Sequence, residues 1–347
     1  MSSSSHGMMS PHPVSALSAS LSGQRVLVTG GAGFLGSHLV HRLVREGACV
    51  SVLDRSMSPH GLNRLADVSG MVEGWQADLE DRGRLESILQ HVKPQYVFHL
   101  AGRVDLARTA EMTEACVREN ISATANLCWA LHELAIRALV LTSTTDVYGN
   151  NPVPFHEAQR VDPPSPYAIS KVAAEQLCRL FGRANGSAAV ILRLSPVYGP
   201  YQAEARLIPS TILAILQGRR LDVTSCEQRR DFVYVDDAVE GMLRAATAPL
   251  AHGETINLGH EQPVSLREVI ETIRRLMNTS WQPSYGQIPR RVGEPPVYSC
   301  SRDKAKRLLD WEPTTSLEEG LRATIEAYRS LVQRRECSGT ELHVVSR

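Results

Sequence analysis

The sequence contains no run of 18 or more apolar residues, no Cys-x-x-Cys pair and no excess charge of either sign. Without a long apolar run, no segment is expected to span a bilayer. The 37 basic and 37 acidic residues balance, which disfavours a protein that binds nucleic acid or an anionic membrane surface. The seven cysteines are scattered, so we expect neither a disulfide framework nor a metal site, and a reducing, cytoplasmic location.

Lysine is scarce as well. Only four lysines (Lys93, Lys171, Lys304 and Lys306) stand against 33 arginines, so a motif that requires lysine has little chance of arising here by accident. The 347 residues have room for one large α/β domain with an appendage, or for two domains.

The order of apolar runs predicts the fold class. Residues 1–22 are serine-rich, with no lysine or arginine, and are expected to form a disordered leader. From Arg25, the runs VLVT, HLVHRLVREG and CVSVLD predict strand, helix and strand, which is a βαβ unit. The alternation continues, with two long helices expected near 112–135 and 167–184. The chain is therefore predicted to be an α/β protein with a parallel sheet covered by helices.

A glycine-rich turn, TGGAGFLG, joins the first strand to the first helix. Gly30, Gly33 and Gly36 permit a tight turn and a close approach of the backbone to a pyrophosphate at the helix N-terminus. Asp54 ends the second strand 18 residues after Gly36, where a carboxylate binds a ribose 2′-OH. This favours NAD over NADP, although the neighbouring Arg55 is of the type that receives a 2′-phosphate. Asp78 and Leu79 fit either the adenine edge or an ordinary loop.

The second motif is Tyr167-Ala-Ile-Ser-Lys171, which places a phenol and an ammonium group on one helix face. Random placement would give roughly 0.1 such pairs in this composition. Lowering the pKa of a tyrosine from about 10 to 7 requires roughly 4 kcal/mol, which a lysine and a positively charged nicotinamide ring can supply. Ser143 or Thr144, at the end of another predicted strand, offers a hydroxyl to hold a substrate alcohol beside the phenol.

With these motifs in order, the sequence resembles the extended short-chain dehydrogenase/reductase family, in its nucleotide-sugar epimerase and dehydratase branch. Supporting strings are HLAG at 99–102, Asn120 in RENISATANL, STTDVYG, PYAISK, RLSPVYGP at 193–200, RDFVYVDD at 230–237 and RVGEPPVYS at 291–299. The resemblance implies an NAD-binding Rossmann domain, with a doubly wound parallel sheet, over 23–195 and with returning segments near 232–260. It also implies a smaller C-terminal α/β domain for the nucleotide sugar, mainly over 196–331, and a tail over 332–347.

The resemblance also implies roles for individual residues. Thr144, Tyr167 and Lys171 match the catalytic trio. Cofactor contacts are expected from Gly30, Gly33, Phe34, Leu35, Gly36, Asp54, Arg55, Asp78, Leu79, Leu100, Ala101, Gly102, Tyr167 and Lys171. Substrate contacts are expected from Arg103, Ser143, Thr144, Thr145, Pro196, Leu207, Arg230, Arg291 and Tyr298. Arg230 and Arg291 match arginines that hold the sugar diphosphate, although a salt bridge from Arg230 to Asp231 or Asp236 is an alternative.

The implied function is NAD-dependent C4 epimerisation of a uridine diphosphate sugar, and thus an isomerase. By the same resemblance, Tyr298 matches a bulky position that excludes N-acetyl groups, so unacetylated sugars are expected. Arg103 and Arg108 lie near the place where glucuronate-type epimerases carry an arginine, and pairing with a C6 carboxylate there ranks UDP-glucuronate slightly above UDP-glucose. The alternative is that they are surface arginines or bind a cofactor phosphate. The alternatives are a UDP-glucuronate decarboxylase or a 4,6-dehydratase, where Asp146 would act as an acid, or a non-catalytic NAD-binding scaffold. For Asp146 itself, the sequence favours a role in capping or bracing its loop over a catalytic one.

The two long helices carry more apolar residues than one sheet face requires, namely Leu127, Trp129 and Leu131 on one helix and Val172, Leu177, Leu180 and Phe181 on the other. Their pairing with symmetry mates would form a homodimer. The alternative is that all of them belong to the intramolecular core.

Overall fold

The computed structural model describes residues 21–56, 64–291 and 294–337. Residues 1–20 of the predicted leader lie outside the described residues. Leu21 is only 1% exposed and packs in the core, so the leader prediction was wrong for Leu21 and Ser22. The last helix continues to Cys337, so residues 332–337 are helix rather than tail; residues 338–347 lie outside the described part.

A seven-stranded parallel sheet, in the order β10-β6-β5-β4-β1-β2-β3, forms the centre of the molecule. Its strands are β1 Arg25–Thr29, β2 Cys49–Asp54, β3 Val72–Gln76, β4 Tyr96–His99, β5 Ala138–Thr144, β6 Ala188–Leu194 and β10 Thr255–Leu258. Strands β1, β4, β5 and β6 are almost completely buried because helices cover both faces of the sheet. The strand order reverses between β1 and β4, and ligands bind at such a switch point in open α/β sheets.

Ten α-helices are described: α1 Phe34–Arg45, α2 Arg82–Val92, α3 Ala110–Cys116, α4 Ala123–Leu131, α5 Pro166–Asn185, α6 Leu207–Leu216, α7 Val235–Thr247, α8 Leu266–Leu276, α9 Asp303–Leu309 and α10 Leu317–Cys337. None of the helices in the described part is long and apolar enough to cross a membrane. Helix α5 begins where sequence chemistry predicts: the Ser165 side chain accepts a hydrogen bond from the Ala168 amide, and Pro166 follows in the first turn.

The first predicted long helix is interrupted. A π-helical turn over Val117–Ser122 lies between α3 and α4, so the helical region spans 110–131 rather than 112–135. Such turns occur frequently at functional sites. Here the turn carries Glu119 and Asn120, both of which are buried.

A smaller lobe lies beside the sheet. It contains the three-stranded sheet β11-β8-β12 (Val264–Ser265, Arg229–Arg230 and Val297–Tyr298), while β7 Val197–Tyr198 pairs with β9 Val233–Tyr234. Helices α6, α8 and α10 enclose a second core of aromatic and branched side chains. Helix α7 and strand β10, from the segment near 232–260, instead join the large sheet and its core. The protein is thus a Rossmann-type α/β fold with an appended lobe.

Candidate active site

A cleft of about 240 Å³ opens at the carboxyl ends of β1 to β4. Nine residues predicted to bind the cofactor line it: Gly30, Gly33, Asp54, Arg55, Asp78, Leu79, Leu100, Ala101 and Gly102. Four further lining residues, Leu53, Ala77, Glu119 and Ala123, were not predicted.

The glycine turn forms a cradle that side chains would fill. Gly30 has a φ of 71°, and a Cβ atom there would lie 2.7 Å from the Ala101 amide nitrogen. A Cβ atom on Gly36 would lie 2.1 Å from the Gly30 carbonyl oxygen, so helix α1 approaches the turn as closely as it does only because Gly36 has no side chain. This geometry suits the pyrophosphate of a dinucleotide at the N-terminus of α1.

Asp54 is held at the end of β2 beside this cradle. Its carboxylate accepts hydrogen bonds from the Ala32 amide at 3.2 Å and the Ser56 amide at 3.1 Å. Arg64 lies nearby and donates to the Ala32 carbonyl at 3.1 Å. The fixed carboxylate fits a ribose 2′-OH, so the residues of the cleft suit NAD.

The predicted trio comes together beyond Gly102. Tyr167 and Lys171 lie one turn apart in α5, both buried, and the Thr144 hydroxyl at the end of β5 interacts with the Tyr167 phenol. The Lys171 ammonium reaches the cofactor cleft, because a Cβ atom on Gly102 would lie 3.8 Å from Lys171 Nζ. The charge of Arg206, which precedes α6 of the smaller lobe, acts on the phenol, so the phenol and the ammonium lie between the cofactor cleft and that lobe.

Burial dominates the acid-base properties of this group. Burial and the neighbouring Asp146 raise the pKa of Tyr167 well above 10, while Thr144 opposes this effect. Burial lowers the pKa of Lys171 to about 8, against the opposing charges of Cys178 and Glu175. Burial, followed by the charge of Lys171, lowers the pKa of His99 to about 3, so this histidine is neutral between Thr29 and Thr124.

A buried ion pair fixes α5 against the sheet. The Glu175 carboxylate accepts from Arg193 at 2.7 and 2.9 Å and from the Ser143 hydroxyl at 2.6 Å. Ser143 therefore points into the core rather than toward a substrate, and the prediction that it binds substrate was wrong. Alternation along β5 explains this, because consecutive side chains face opposite sides of a strand and Thr144 takes the productive side.

Arg103 has a partner that the sequence did not predict. Its guanidinium donates to Glu119, a lining residue of the cofactor cleft, at 2.9 and 3.2 Å, while the carbonyl of the next residue, Val104, accepts from Arg206 at 3.2 Å. A contact of Arg103 with the substrate stays a prediction. The pattern could not show the pairing with Glu119 because Glu119 lies 16 residues further along the chain, in a turn that the helical periodicity does not reveal.

The smaller lobe contributes a second charged group. Arg230 lies 4.7 Å above the Tyr298 ring and donates to Glu294 at 2.5 Å, so its ion-pair partner is Glu294 rather than Asp231 or Asp236. Asp231 instead accepts from the backbone amides of His260 and Glu261.

Asp146 connects this lobe to the trio. It follows Thr144 by two residues, and its amide donates to the Thr144 hydroxyl at 3.1 Å. Burial raises the pKa of Asp146, and the charges of Arg230, Arg206 and Arg291 oppose that shift. No hydrogen bond to its carboxylate is found within residues 21–56, 64–291 and 294–337, so a loop-bracing role for the side chain has no support there.

The other predicted residues have diverse positions. Phe34 and Leu35, in the first turn of α1, pack against the core of the smaller lobe. The buried Thr145 donates to the Leu194 carbonyl at 3.4 Å, and the Pro196 carbonyl accepts from Val233. Leu207 is the first residue of α6, and Arg291 is exposed.

Arg206, which sequence reasoning missed, directly precedes α6, and its charge acts on both Tyr167 and Asp146.

Comparisons with known proteins place the chain in a family with this kind of site. The model of the NAD dependent epimerase/dehydratase family matches residues 26–259. The chain belongs to this family. It is 32% identical to UDP-glucuronate 4-epimerase of Thermodesulfobacterium geofontis, over 86% of this chain and 94% of that protein. NAD is its cofactor, and the prediction of an isomerase of the epimerase class is confirmed.

Solved structures of family members superpose closely. UDP-glucose 4-epimerase of Thermotoga maritima, solved with UDP-glucose, has a TM-score of 0.81 and 31% identity over 88% of this chain and 99% of that one. UDP-glucuronic acid 4-epimerase of Bacillus cereus, in complex with UDP-glucuronic acid and NAD, has a TM-score of 0.82 and 27% identity over the same shares. The family also includes other reactions: dTDP-glucose 4,6-dehydratase of Salmonella typhimurium is 29% identical over 89% of this chain and 94% of that protein.

Proposed function

We propose that this enzyme interconverts the C4 epimers of a uridine diphosphate hexose or hexuronate through a 4-keto sugar. The observation that carries this proposal is the buried trio of Thr144, Tyr167 and Lys171 at the junction of the cofactor cleft and the smaller lobe. When bound, NAD supplies reversible acceptance and return of hydride at C4. The residues that would hold it are those of the glycine cradle together with Asp54.

The remaining steps belong to the protein. Tyr167 as phenolate takes the proton of the 4-OH group and later returns it, while Thr144 holds that oxygen in place. The charge of Lys171, together with the positively charged nicotinamide ring, would favour the phenolate against the burial that raises the pKa of Tyr167. Rotation of the ketone between its two faces inverts C4, and this requires that the sugar be held mainly through its diphosphate. Arg230 and Arg291 are the candidates for that grip.

We place UDP-glucuronate slightly ahead of UDP-glucose as substrate. Arg206 is exposed, and its charge acts on Tyr167 and Asp146, so it stands at the reactive end of the site. A guanidinium there suits a C6 carboxylate, with a charge-assisted bond worth about 1.5–3 kcal/mol. Arg206 is thus a further candidate for the role that the sequence suggested for Arg103 or Arg108.

Tyr298 supports a restriction to unacetylated sugars. It is buried, lies beneath Arg230 and packs on Phe155 with ring centroids 5.7 Å apart, so its ring has little freedom to move aside. Fast turnover of a UDP-N-acetylhexosamine would contradict this assignment.

The testing experiment is a substrate panel with products identified by NMR. UDP-glucuronate, UDP-glucose and their N-acetyl relatives are each incubated with the purified enzyme. The proposal predicts the C4 epimer of the first two sugars without stoichiometric formation of NADH. Absence of any new sugar nucleotide across the panel would instead favour a non-catalytic NAD-binding scaffold.

Asp146 favours a second candidate, decarboxylation of UDP-glucuronate or 4,6-dehydration of a nucleotide hexose. A carboxyl group whose charge acts on Tyr167 and Tyr298 is of the type that moves a proton at C5 or C6 of the sugar. A pentose product, or a 4-keto-6-deoxy product, in the same NMR panel would establish this candidate and overturn epimerisation.

A homodimer is proposed as well. Leu127, Leu131 and Phe181 are buried within one chain, but Trp129, Ile169 and Leu180 on α4 and α5 are each more than half exposed. Exposed apolar groups of this size on two neighbouring helices suit an interface between copies. Light scattering at micromolar concentration should give twice the chain mass, and a Trp129→Asp, Leu180→Asp variant should give the monomer. A monomeric mass for the unmodified protein would overturn the dimer.

A further inference from the structure

A buried glutamate forms one wall of the cofactor cleft. Glu119, in the π-helical turn, is 7% exposed and lines the cleft with Asp54 and Arg55. Its Oε2 lies 2.7 Å from Arg55 Nη1, and its Oε1 accepts from Arg103 Nη2 at 2.9 Å. One carboxylate therefore connects the end of β2 with the loop after β4, across the point where the strand order reverses.

This connection concerns the arginine that matters for cofactor choice. An arginine close to the β2 carboxylate is what accommodates the 2′-phosphate of NADP. Arg55 follows Asp54 directly, yet Glu119 occupies its guanidinium. Burial raises the pKa of Glu119, but the hydrogen bonds and charges of Arg103 and Arg55 outweigh burial and lower it below its ordinary value, so Glu119 is ionised at neutral pH. Arg64, a further arginine whose charge acts on Asp54, donates to the Ala32 carbonyl.

We propose that Glu119 is a cofactor-selecting residue that excludes NADP by holding Arg55 away from the 2′-position and by placing a second carboxylate on the cleft. Asp54 repels a 2′-phosphate directly, whereas Glu119 acts mainly through Arg55. The two carboxylates are therefore expected to contribute separately, and Arg55 should bind a phosphate once Glu119 loses its charge.

The test is competition for the cofactor site, read as bound dinucleotide rather than as turnover. Purified protein is incubated with mixtures of NAD and NADP, separated from free dinucleotide, and its bound cofactor is identified by chromatography. Glu119→Gln is expected to shift the ratio of bound NADP to bound NAD about tenfold toward NADP, the value of one charge-assisted hydrogen bond. Adding Asp54→Asn should shift it further, and adding Arg55→Gln to Glu119→Gln should abolish the gain.

Controls separate this effect from a general change in charge. Glu80→Gln removes a carboxylate that binds Arg118 at 3.0 Å next to the cleft-lining Leu79. Arg118 also lies 3.6 Å from Glu119, so this variant changes the charge of the same cluster without touching Arg55, and it should leave the ratio within twofold. Glu119→Asp keeps the charge and should retain most of the discrimination. An unchanged ratio in folded Glu119→Gln, or an equal gain in Glu80→Gln, would overturn the proposal. If Glu119→Gln does not fold, the single variant Arg55→Gln is the test. Its ratio of bound NADP to bound NAD should stay within twofold of the wild-type ratio. A loss of NADP binding would show that Arg55 already binds the 2′-phosphate in the wild type, and it would overturn the proposal.

Discussion

The cofactor end and the sugar end of this site are built in different ways. At the cofactor end, the backbone shapes the site. The turn at Gly30, the close approach of Gly36 and the ends of the strands together form the cleft, and side chains only line its walls. At the sugar end, charged side chains from separate segments meet, with Asp146 after β5, Arg206 before α6 and Arg230 in β8. The contrast teaches that cofactor binding follows from a local pattern, whereas sugar specificity depends on how distant segments are brought together.

The largest effect is expected from removing the phenol oxygen of Tyr167, which lies between the cofactor end and the sugar end. Tyr167→Phe should lower kcat by about 10³-fold or more, because it removes the only predicted proton acceptor for the 4-OH group. Bound NAD should remain at the wild-type level, because the phenol adds nothing to the glycine cradle. NMR of samples quenched at successive times gives kcat, and chromatography of the released cofactor gives the amount of bound NAD. An active variant would contradict the assignment of Tyr167 as the proton acceptor.

Lys171→Met should make the protein more stable while it destroys activity. Burial lowers the pKa of Lys171 to about 8 from 10.5, so the unfolded chain binds more protons between pH 8 and 10.5 and the buried charge costs stability at neutral pH. In protein freed of cofactor at pH 7, the gain in the free energy of unfolding is expected to reach about 3 kcal/mol.

The gain should shrink as the pH rises from 8 to 10.5, because the wild-type lysine is then neutral in the folded state. Urea denaturation at several pH values gives this difference. Lys93→Met, at an exposed lysine, is the matched control and should show no such pH dependence. A Lys171→Met protein that is less stable than the wild type at pH 7 would contradict the prediction.

Arg230→Gln should affect the sugar end alone. We expect kcat/KM for the nucleotide sugar to fall about 10- to 100-fold through loss of a charge-assisted contact with the diphosphate, with bound NAD unchanged. The neighbouring Arg229, which is exposed and donates to the Pro263 carbonyl, provides the control Arg229→Gln. Equal losses in the two variants would show that Arg230 has no special contact.

The smallest expected effect is a change in sugar preference. Arg206→Gln should lower kcat/KM for UDP-glucuronate about tenfold relative to UDP-glucose, because only the former offers a carboxylate. Steady-state assays with both sugars measure this ratio. An unchanged ratio would remove the basis for placing UDP-glucuronate first.

The sequence allowed a prediction of the cofactor end because glycine spacing, strand ends and an i, i+4 pair are local features. Gly30, Asp54, Tyr167 and Lys171 lie where those patterns placed them. Ser143 was misassigned, and the partner of Arg103 was missed, because Glu175 and Glu119 are 32 and 16 residues distant and become neighbours only through packing. Arg206 was not predicted for a similar reason. An arginine that precedes a helix forms no distinctive pattern in a chain with 33 arginines.

The fate of the hydrogen at C4 tests the central claim most directly. Substrate that carries deuterium at C4 is converted by the enzyme, and the epimeric product is examined by NMR and mass spectrometry. If hydride leaves C4 and returns to it within one active site, the epimer retains the deuterium at C4 and free NADH does not accumulate. Loss of the label from the C4 epimer, or its appearance in released NADH, would contradict the account.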